Sequence, residues 1–270
     1  MRRIHMLDFH IHSDFSVDSK ESLDNIAKKA IERNLKYICI TDHVDFESSI
    51  DGADIMFRPD DYFRDLRKFK HKYKNDLEIL IGVEIGIQPN LYNRYDEFIN
   101  NYPFDFVIMS IHSIEGKDIF NSWNSENADS HLLVEKYYDQ MLECVTNFNN
   151  YDTLGHIDFI DRYFNIQDIY DNSNIINDKI SKILNVLIQN NKGLEINSAS
   201  LRYNLEFVHP KPSILSLYRK YGGEIITFGS DSHVCEYVGY EYKTAEKTLK
   251  NLGFKHIYYY KQRKKYPVNI

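Results

Sequence analysis

Short apolar segments alternate with longer amphipathic segments along the whole chain. The short segments have the length and composition of β-strands, and the longer ones repeat apolar residues at helical spacing. Seven strands are predicted: Ile4–Ile11, Tyr37–Thr41, Leu77–Ile85, Phe106–Ile111, Thr153–Ile157, Gly193–Asn197 and Gly223–Phe228. The pattern therefore predicts strands and helices that follow one another in turn.

The segment Ser22–Asn34 (SLDNIAKKAIERN) shows the helical pattern most clearly. Ser22 is a suitable N-cap, and apolar residues recur three and four positions apart, as at Ile26, Ala27 and Ala30. Four further helices are predicted: Asp60–Tyr73, Leu132–Asn147, Ile175–Asn190 and Ser213–Tyr221. Glycines in the NNKG and KYGG segments are expected to end the last two helices.

About seven β/α units succeed one another without a linker rich in Pro, Gly or Ser. This order predicts one α/β domain over residues 1–270, built as a closed or nearly closed parallel barrel. An open, doubly wound sheet is the alternative fold. The aromatic and basic tail after Gly253 is interpreted as a final edge strand followed by a solvated end.

Charge and cysteine content limit the possible binding partners and the cellular compartment. The 270 residues carry a formal net charge of -7, which disfavours nucleic acid and anionic membranes as partners, because both attract excess Lys and Arg. No apolar run reaches the length of a transmembrane helix. Cys39, Cys144 and Cys235 are odd in number and far apart, so we expect reduced thiols in a cytoplasmic protein.

Nearly every predicted strand ends in a side chain that can bind a metal ion. The candidates are His10, His12, Asp42, His43, Glu84, His112, His156, Asp158, Glu195, Asn197, Asp231 and His233. In a parallel barrel the carboxyl ends of the strands meet at one rim, so these side chains are expected to converge. Imidazole and carboxylate ligands suit Zn, Mn or Fe. The set is too large for one tetrahedral ion and predicts two or three bridged ions.

Six short motifs occur in a fixed order over essentially the whole chain: HIHS, TDH, GVEIG, SIHS, GHID and GSDSH. In this ordered set the sequence resembles the polymerase and histidinol phosphatase (PHP) superfamily, and within it the histidinol-phosphate phosphatases. The resemblance implies a distorted seven-stranded (β/α)7 barrel related to the TIM barrel, which agrees with the predicted strands. It also implies a metal centre of two or three divalent transition-metal ions.

The resemblance implies three sets of metal ligands, the first two of which share Glu84. These sets are His10, His12, Glu84 and Asp231; then Glu84, His112 and His156; then His43, His233 and Asp18. Many superfamily members have a histidine where this chain has Asp18, and Asp14 is the alternative for that position. Asp42 and Asp158 are expected to accept hydrogen bonds from ligand imidazoles and so fix their tautomers.

Two arginines are expected to determine the substrate specificity. Arg162 lies in the segment Asp161–Tyr163 (DRY) and Arg202 in Leu201–Tyr203 (LRY), each shortly after a predicted strand. A guanidinium fork suits phosphate oxygens, and two of them offset the charge of a phosphate monoester dianion. The alternative is that each arginine forms a salt bridge with a surface carboxylate.

The candidate ligands and arginines predict a metal-dependent phosphatase, and the resemblance implies that it is a histidinol-phosphatase. We expect it to hydrolyse L-histidinol phosphate to L-histidinol and inorganic phosphate in histidine biosynthesis, by attack of a hydroxide that bridges two ions. Asp161, His233 or metal-bound water is expected to protonate the leaving alkoxide. The long segments Gln88–Pro103 and Ser113–Ser130 are interpreted as loops over a small ligand.

Candidates for contacts to the amine and imidazole of that ligand are Asp45, Phe46, Glu115 and Trp123. The main alternative function is a phosphoesterase of the same superfamily that acts on another small phosphate monoester or a nucleotide. A metal-binding scaffold without activity and a metal-dependent amidohydrolase are further alternatives. The two arginines speak against an amidohydrolase, because a neutral amide needs no such positive charge.

Overall fold

Seven parallel strands form a nearly closed barrel in the computed structural model, which describes residues 6–48, 52–119, 129–163 and 173–270. The strands are β1 (Met6–Ile11), β2 (Leu35–Ile40), β3 (Glu78–Gly86), β4 (Phe106–Ser110), β5 (Thr153–Leu154), β6 (Gly193–Asn197) and β7 (Ile226–Gly229). Each strand pairs in parallel with the next one along the chain. The predicted barrel is confirmed, since the strand order never reverses as it would in a doubly wound sheet.

The barrel closes at its carboxyl end. The backbone N–H of His12 donates to the carbonyl of Ser232 at 2.8 Å, and that of Asp231 donates to the carbonyl of His10 at 2.8 Å. These bonds join the end of β1 to the segment after β7. Closure is therefore made by the backbone of the residues that the sequence marks as metal ligands.

Seven α-helices are described: α1 (Leu23–Glu32), α2 (Pro59–Tyr73), α3 (Tyr92–Asn101), α4 (Ser130–Asn147), α5 (Asn174–Gln189), α6 (Pro212–Lys220) and α7 (Tyr242–Asn251). Five of them match the predicted helices to within two residues at each end. In α1 the Ser22 hydroxyl accepts from the Asn25 N–H at 3.3 Å, as expected of an N-cap. Ile26, Ala27 and Ala30 face the barrel. None of the described helices is long and apolar enough to cross a membrane.

The interpretation of Gln88–Pro103 as a loop over the ligand is wrong. A short 3-10 turn at Pro89–Leu91 leads into α3, whose Tyr95 side chain is fully buried. The Tyr95 hydroxyl donates to the Gly86 carbonyl at 2.5 Å and accepts from the Phe46 N–H at 3.0 Å. The segment is therefore part of the barrel wall. Apolar residues recur at helical spacing in this segment, but its many aromatic and Asn residues were interpreted as typical of a loop.

The other long segment, Ser113–Ser130, is only partly described. Its first part contains two short antiparallel strands, Ser113–Ile114 and Lys117–Asp118. Residues 120–128, with Trp123 among them, lie outside the described residues. The same holds for Ile4 and His5 at the start of the first predicted strand.

Only one of the two glycine-rich segments ends its helix with a glycine. After α6, Gly222 has a φ of 93°, as expected of a helix end. After α5 the left-handed residue is Asn191, with a φ of 57°. Gly193 instead begins β6, where a Cβ atom would lie 2.8 Å from the Thr153 hydroxyl oxygen. That glycine is needed for close packing of β5 and β6.

The predicted final strand is present at the C-terminus, and most residues after it are exposed, but they form a second strand. His256–Lys261 and Lys264–Asn269 form an antiparallel hairpin. Its turn residues Gln262 and Arg263 have φ values of 51° and 60°. The Arg263 Nε donates to the carboxylate of Asp152, which directly precedes β5, at 2.6 Å. The hairpin turn thus lies against the amino-terminal end of the barrel.

Candidate metal centre and phosphate site

A buried carboxylate, Glu84 of β3, lies at the centre of the carboxyl-terminal rim. One of its oxygens, Oε2, is 3.1 Å from His10 Nε2 and 3.1 Å from His43 Nδ1. The other, Oε1, is 3.0 Å from His156 Nε2 and 3.3 Å from His112 Nε2. His43 reaches this position because its short strand, His43–Asp45, pairs with β3 in a register that sets His43 opposite Glu84. Four imidazoles therefore surround one carboxylate.

Asp231 supplies a second carboxylate to the same centre. Its Oδ1 lies 3.5 Å from His12 Nε2 and 3.7 Å from His10 Nε2, and His12 Nε2 is also 3.5 Å from Glu84. Asp231 has a φ of 54°, a backbone conformation that L side chains rarely adopt.

Asp18, rather than Asp14, lies beside the remaining predicted ligands. Its Oδ2 is 3.1 Å from His233 Nε2 and 3.5 Å from His43 Nε2. The Asp14 side chain is exposed, and its backbone N–H donates to the Glu21 carbonyl at 2.9 Å. The geometry thus brings together all nine predicted ligands, while their metal binding stays a prediction.

The buried atoms of this cluster fit divalent ions. His10 Nε2, His12 Nε2 and His43 Nδ1 lie 3.1 to 3.5 Å from Glu84 Oε2, and these four buried atoms make no hydrogen bond of good geometry among the described residues. Buried polar atoms without partners are costly, so they point to a ligand that completes them. Nitrogen and oxygen donors that converge in this way suit Zn, Mn or Fe.

Neighbouring side chains orient three of the imidazoles. His10 Nδ1 lies 2.6 Å from Glu195 Oε1, His12 Nδ1 lies 3.2 Å from the Ser16 hydroxyl, and His112 Nδ1 lies 3.0 Å from Asp45 Oδ1. Each contact leaves the Nε2 atom directed at Glu84 or Asp231. Such partners fix the tautomer of a metal-binding histidine and raise its basicity. Of these three partners, the sequence analysis named Glu195 as a strand-end candidate and Asp45 as a contact to the ligand, and it did not single out Ser16.

Asp42 and Asp158 do not accept from ligand imidazoles, contrary to expectation. Asp42 accepts from the hydroxyls of Ser13 and Ser16, both at 2.7 Å, and so reaches His12 only through Ser16. Asp158 accepts from the Nδ1 atom of His209 at 2.8 Å. His209, which is not among the predicted site residues, is fully buried beside the site.

Mutual attraction keeps the carboxylates of Glu84 and Asp231 charged in the protein without ions. Burial raises the pKa of the Glu84 carboxyl, but the charges of His10 and His112 outweigh burial and hold the pKa well below its usual range. Burial acts in the same way on Asp231, and His10, His12 and Arg162 hold its pKa well below the ordinary value. Both carboxyls are therefore ionised at neutral pH, as cation binding requires.

The two predicted phosphate-binding arginines flank this centre. The Arg162 Nη2 donates to Asp231 Oδ2 at 3.0 Å, and its guanidinium lies between the rings of Phe159 and Tyr203, with centroids 4.4 Å and 4.8 Å away. Arg202 donates to the carbonyls of Ser230 and Asp231, both at 2.8 Å. Neither arginine pairs with a surface carboxylate in the described structure, so that alternative is wrong.

One cavity joins the arginines to the metal-binding cluster. Its volume is about 540 Å³, and its walls include Asp18, His43, Glu84, His112, His156, Arg162, Arg202, Asp231 and His233. A cavity of this size suits a small ligand. Phe159, Tyr163, Tyr203 and Tyr237 supply its aromatic wall.

The predicted proton donors differ in position. His233 lines the cavity, and its Nδ1 lies 3.1 Å from the Asp231 carbonyl. Asp161 is buried, and its Oδ2 lies 2.5 Å from the Lys211 ammonium. Phe159 and Arg162 line the cavity, while the Asp161 carboxylate is paired with Lys211.

Of the three described candidates for contacts to the ligand's amine and imidazole, Asp45 lines the cavity, whereas Phe46 and Glu115 are not in its wall. Asp45 lines the cavity but pairs with His112. Phe46 is buried against Tyr95, with ring centroids 4.7 Å apart. Glu115 lies 2.9 Å from the ammonium of Lys136. These side chains already have structural partners, and the sequence pattern does not reveal them.

Comparison with known proteins agrees with this geometry. Residues 8–199 match the PHP domain family. The chain belongs to the PHP domain family. This PHP chain is 32% identical over 260 residues to a histidinol-phosphatase of Lactococcus lactis, across 92% of this chain and 91% of the relative. It is 30% identical over 261 residues to a probable histidinol-phosphatase of Clostridium acetobutylicum, across 97% and 99% of the two chains.

Solved structures show the same fold. The histidinol phosphate phosphatase of Lactococcus lactis, in complex with zinc, L-histidinol and phosphate, superposes with a TM-score of 0.85 at 28% identity, over 98% of this chain and all of the other. A putative histidinol phosphatase of Listeria monocytogenes superposes with a TM-score of 0.75 at 21% identity, over 88% of this chain and 99% of the other. The PHP chain is thus an enzyme of the histidinol-phosphatase branch, a phosphoric monoester hydrolase.

Proposed function

We propose that this PHP enzyme hydrolyses L-histidinol phosphate to L-histidinol and inorganic phosphate. The observation that carries the proposal is the position of Arg162 and Arg202 in the same cavity as the buried donors that lack partners. An anion-binding fork beside a metal-binding cluster suits a phosphate monoester. The substrate itself follows from the likeness to the Lactococcus lactis enzyme, whose crystal structure contains zinc, L-histidinol and phosphate.

Nine side chains would hold two or three divalent ions: His10, His12, Asp18, His43, Glu84, His112, His156, Asp231 and His233. Zinc is supported by the Lactococcus lactis structure, and the donor set also accommodates Mn or Fe. Such ions, when bound, supply Lewis acidity toward the phosphoryl group. All other steps are assigned to the side chains of this chain.

Arg162 and Arg202 would bind the phosphoryl oxygens and offset their charge. Each guanidinium has five N–H groups, and the described contacts to Asp231, Ser230 and the Asp231 carbonyl use only part of them. The remaining N–H groups are available to the cavity. Because aromatic rings and backbone contacts hold both guanidinium groups before substrate arrives, little reorganisation is needed during the reaction.

Neither side chain predicted to protonate the leaving alkoxide is free to do so: His233 lines the cavity, but its Nδ1 faces the Asp231 carbonyl and its Nε2 would hold an ion, and the Asp161 carboxylate pairs with Lys211. Of the predicted donors, this arrangement favours water. We therefore propose a structural role for Asp161, in which it fixes the turn Phe159–Arg162 that presents Arg162.

We further propose that the reaction belongs to histidine biosynthesis in the cytoplasm. The biosynthetic role follows from the names of the relatives. The free thiols of Cys39, Cys144 and Cys235 fit a reducing compartment.

Steady-state phosphate release by metal-loaded enzyme tests the proposed substrate. L-histidinol phosphate would be compared with 4-nitrophenyl phosphate, a nucleotide and a sugar phosphate. We expect a kcat/KM for L-histidinol phosphate at least about a hundredfold above the others. Similar slow rates on all esters would leave a phosphoesterase but reject the substrate. No release by protein with bound ions would reject the enzymatic function.

A further inference from the structure

A buried hydrogen-bonded chain connects Asp158 to the metal-binding cluster. Asp158 Oδ1 lies 2.8 Å from His209 Nδ1, and the Arg162 Nε donates to His209 Nε2 at 3.4 Å. The Arg162 Nη2 continues the chain to Asp231 Oδ2 at 3.0 Å. His209 and Asp158 are both 0% exposed. His209 is not among the predicted metal ligands, so the proposed reaction assigns it no role.

The partners of His209 define its tautomer. An ionised carboxylate can only accept, so the Nδ1 atom facing Asp158 carries the proton. A guanidinium can only donate, so the Nε2 atom facing Arg162 carries a lone pair. The neutral ring with its proton on Nδ1 satisfies both neighbours. His209 is thus a fixed acceptor for one edge of the arginine.

This acceptor sets the direction of the guanidinium. The Nε edge of Arg162 is held by His209, one Nη group is held by Asp231, and the two faces are covered by Phe159 and Tyr203. The N–H groups of the other terminal nitrogen are left for a ligand in the cavity that Arg162 lines. Rotation of the guanidinium would break the bonds on both held edges.

We propose that His209, held by Asp158, is a positioning residue that orients Arg162 toward the phosphoryl group of the substrate. The inference rests on the proposed function, because it takes Arg162 as a phosphate-binding group. A second arginine, Arg202, is oriented by backbone carbonyls instead. The two arginines therefore differ in their hydrogen-bond acceptors: Arg162 faces the side chains of His209 and Asp231, whereas Arg202 faces two backbone carbonyls and lies over the Tyr237 ring.

Two substitutions of His209 separate this role from a structural one. His209→Gln places an amide oxygen near the position of Nε2 and keeps the acceptor for Arg162. His209→Asn places an amide nitrogen near the position of Nδ1, keeps the donor to Asp158 and loses the contact with Arg162. His71→Asn, on the exposed face of α2, is the matched control.

We expect His209→Asn to lower kcat/KM for L-histidinol phosphate about tenfold and to raise the inhibition constant of inorganic phosphate by a similar factor. His209→Gln should recover most of both losses, and all variants should bind the same number of ions as the wild type. If the Asn variant matched the wild type while the Gln variant lost activity, the residue would serve the Asp158 contact and the proposal would be wrong.

A double-mutant cycle with Arg162→Ala tests whether His209 acts through the arginine. In the Arg162→Ala background, His209→Asn should cause no further loss of phosphate binding. A full additive loss would overturn the proposal. Binding of inorganic phosphate to the metal-loaded proteins, measured by calorimetry, completes the cycle even if wild type fails to hydrolyse L-histidinol phosphate. Failure of the proposed function is thereby distinguished from failure of this inference.

Discussion

The two ends of the barrel both bury charged side chains, but the hydrogen bonding of those side chains differs. At the amino-terminal end, Asp105 and Asp152 precede β4 and β5. The oxygens of Asp105 accept from the N–H groups of Ile81 at 3.0 Å and Gln262 at 2.9 Å. Asp152 Oδ2 accepts from the Val107 N–H at 2.8 Å and from Arg263 Nε at 2.6 Å. N–H groups of the chain itself therefore supply hydrogen bonds to both carboxylates.

At the carboxyl-terminal end the chain leaves buried atoms without partners. Glu84 Oε2 and the ring nitrogens of His10, His12 and His43 converge, yet they make no hydrogen bond of good geometry among the described residues. A buried polar group that serves only the fold is normally paired, as Asp105 and Asp152 are. The contrast shows which end is built to hold something from outside the chain, and it gives four predictions.

The largest effect is expected from Glu84→Gln. An amide cannot bridge two cations as a carboxylate does, so the variant should lose bound ions and at least about 10³-fold in kcat/KM. Metal analysis and phosphate release would measure both. The metal-free variant should unfold at a lower temperature than the metal-free wild type, because His10 and His43 lose the carboxylate charge that faces them. Full activity with a full complement of ions would contradict the assignment of Glu84.

At the other end, Arg263→Met should weaken the fold rather than the chemistry. It leaves the buried carboxylate of Asp152 without its guanidinium and should cost about 3 kcal/mol in the free energy of unfolding, measured with urea. The exposed Arg64→Met on α2 is the matched control, with an expected effect near zero. A fall in kcat/KM of the folded Arg263→Met protein would contradict the claim that the amino-terminal end contributes to stability and not to catalysis.

Removal of ions should destabilise the protein through the carboxyl-terminal end. Ions at a hundredfold excess over their Kd stabilise the folded state by about 2.7 kcal/mol, so a chelator should lower the melting temperature and added zinc should restore it. In Glu84→Gln the chelator should have little effect. An identical shift in both proteins would place the stabilising ions elsewhere.

The smallest effect concerns pH in the metal-free protein. Burial alone would lower the pKa of His43, but Glu84 and Asp18 outweigh burial and raise it to about 9 from 6.5. The charged imidazole therefore stabilises the fold below pH 6.5, and this contribution is lost as the pH rises through 9. We expect a loss of about 1 kcal/mol in urea unfolding over this range.

The metal-loaded protein is the control for this pH dependence. A histidine must be neutral to bind an ion, so the metal-loaded protein should not lose stability over the same range. The exposed His71→Asn variant should behave as the wild type does in both forms. The same downward trend in the metal-loaded protein would show that His43 is not engaged by ions.

The sequence was sufficient for the barrel and for the residues at its rim. Strand length and helical spacing are local properties, so β1 to β7 could be predicted from apolar patterns. The convergence of His10, Glu84 and Asp231 then followed from the shared direction of parallel strands. Their roles as metal ligands stay predictions, as do those of the two arginines.

Pairings between distant segments could not be predicted in this way. Asp158 and His209 are 51 positions apart, and Asp152 and Arg263 are 111 apart. The geometry of the turn after each strand decides which polar residues form hydrogen bonds with each other. The periodicity of apolar residues carries no information about that geometry. The helix α3 was missed for a different reason, because aromatic and Asn residues have weak helical propensity and tertiary packing decides.

A zinc titration of the metal-free enzyme tests the central claim most directly. Bound zinc per chain and phosphate release from L-histidinol phosphate would be measured on the same samples. We expect release to appear as ions bind and to level off at two or three ions per chain, in wild type but not in Glu84→Gln. Release that is independent of zinc, or full zinc binding without release, would contradict the account.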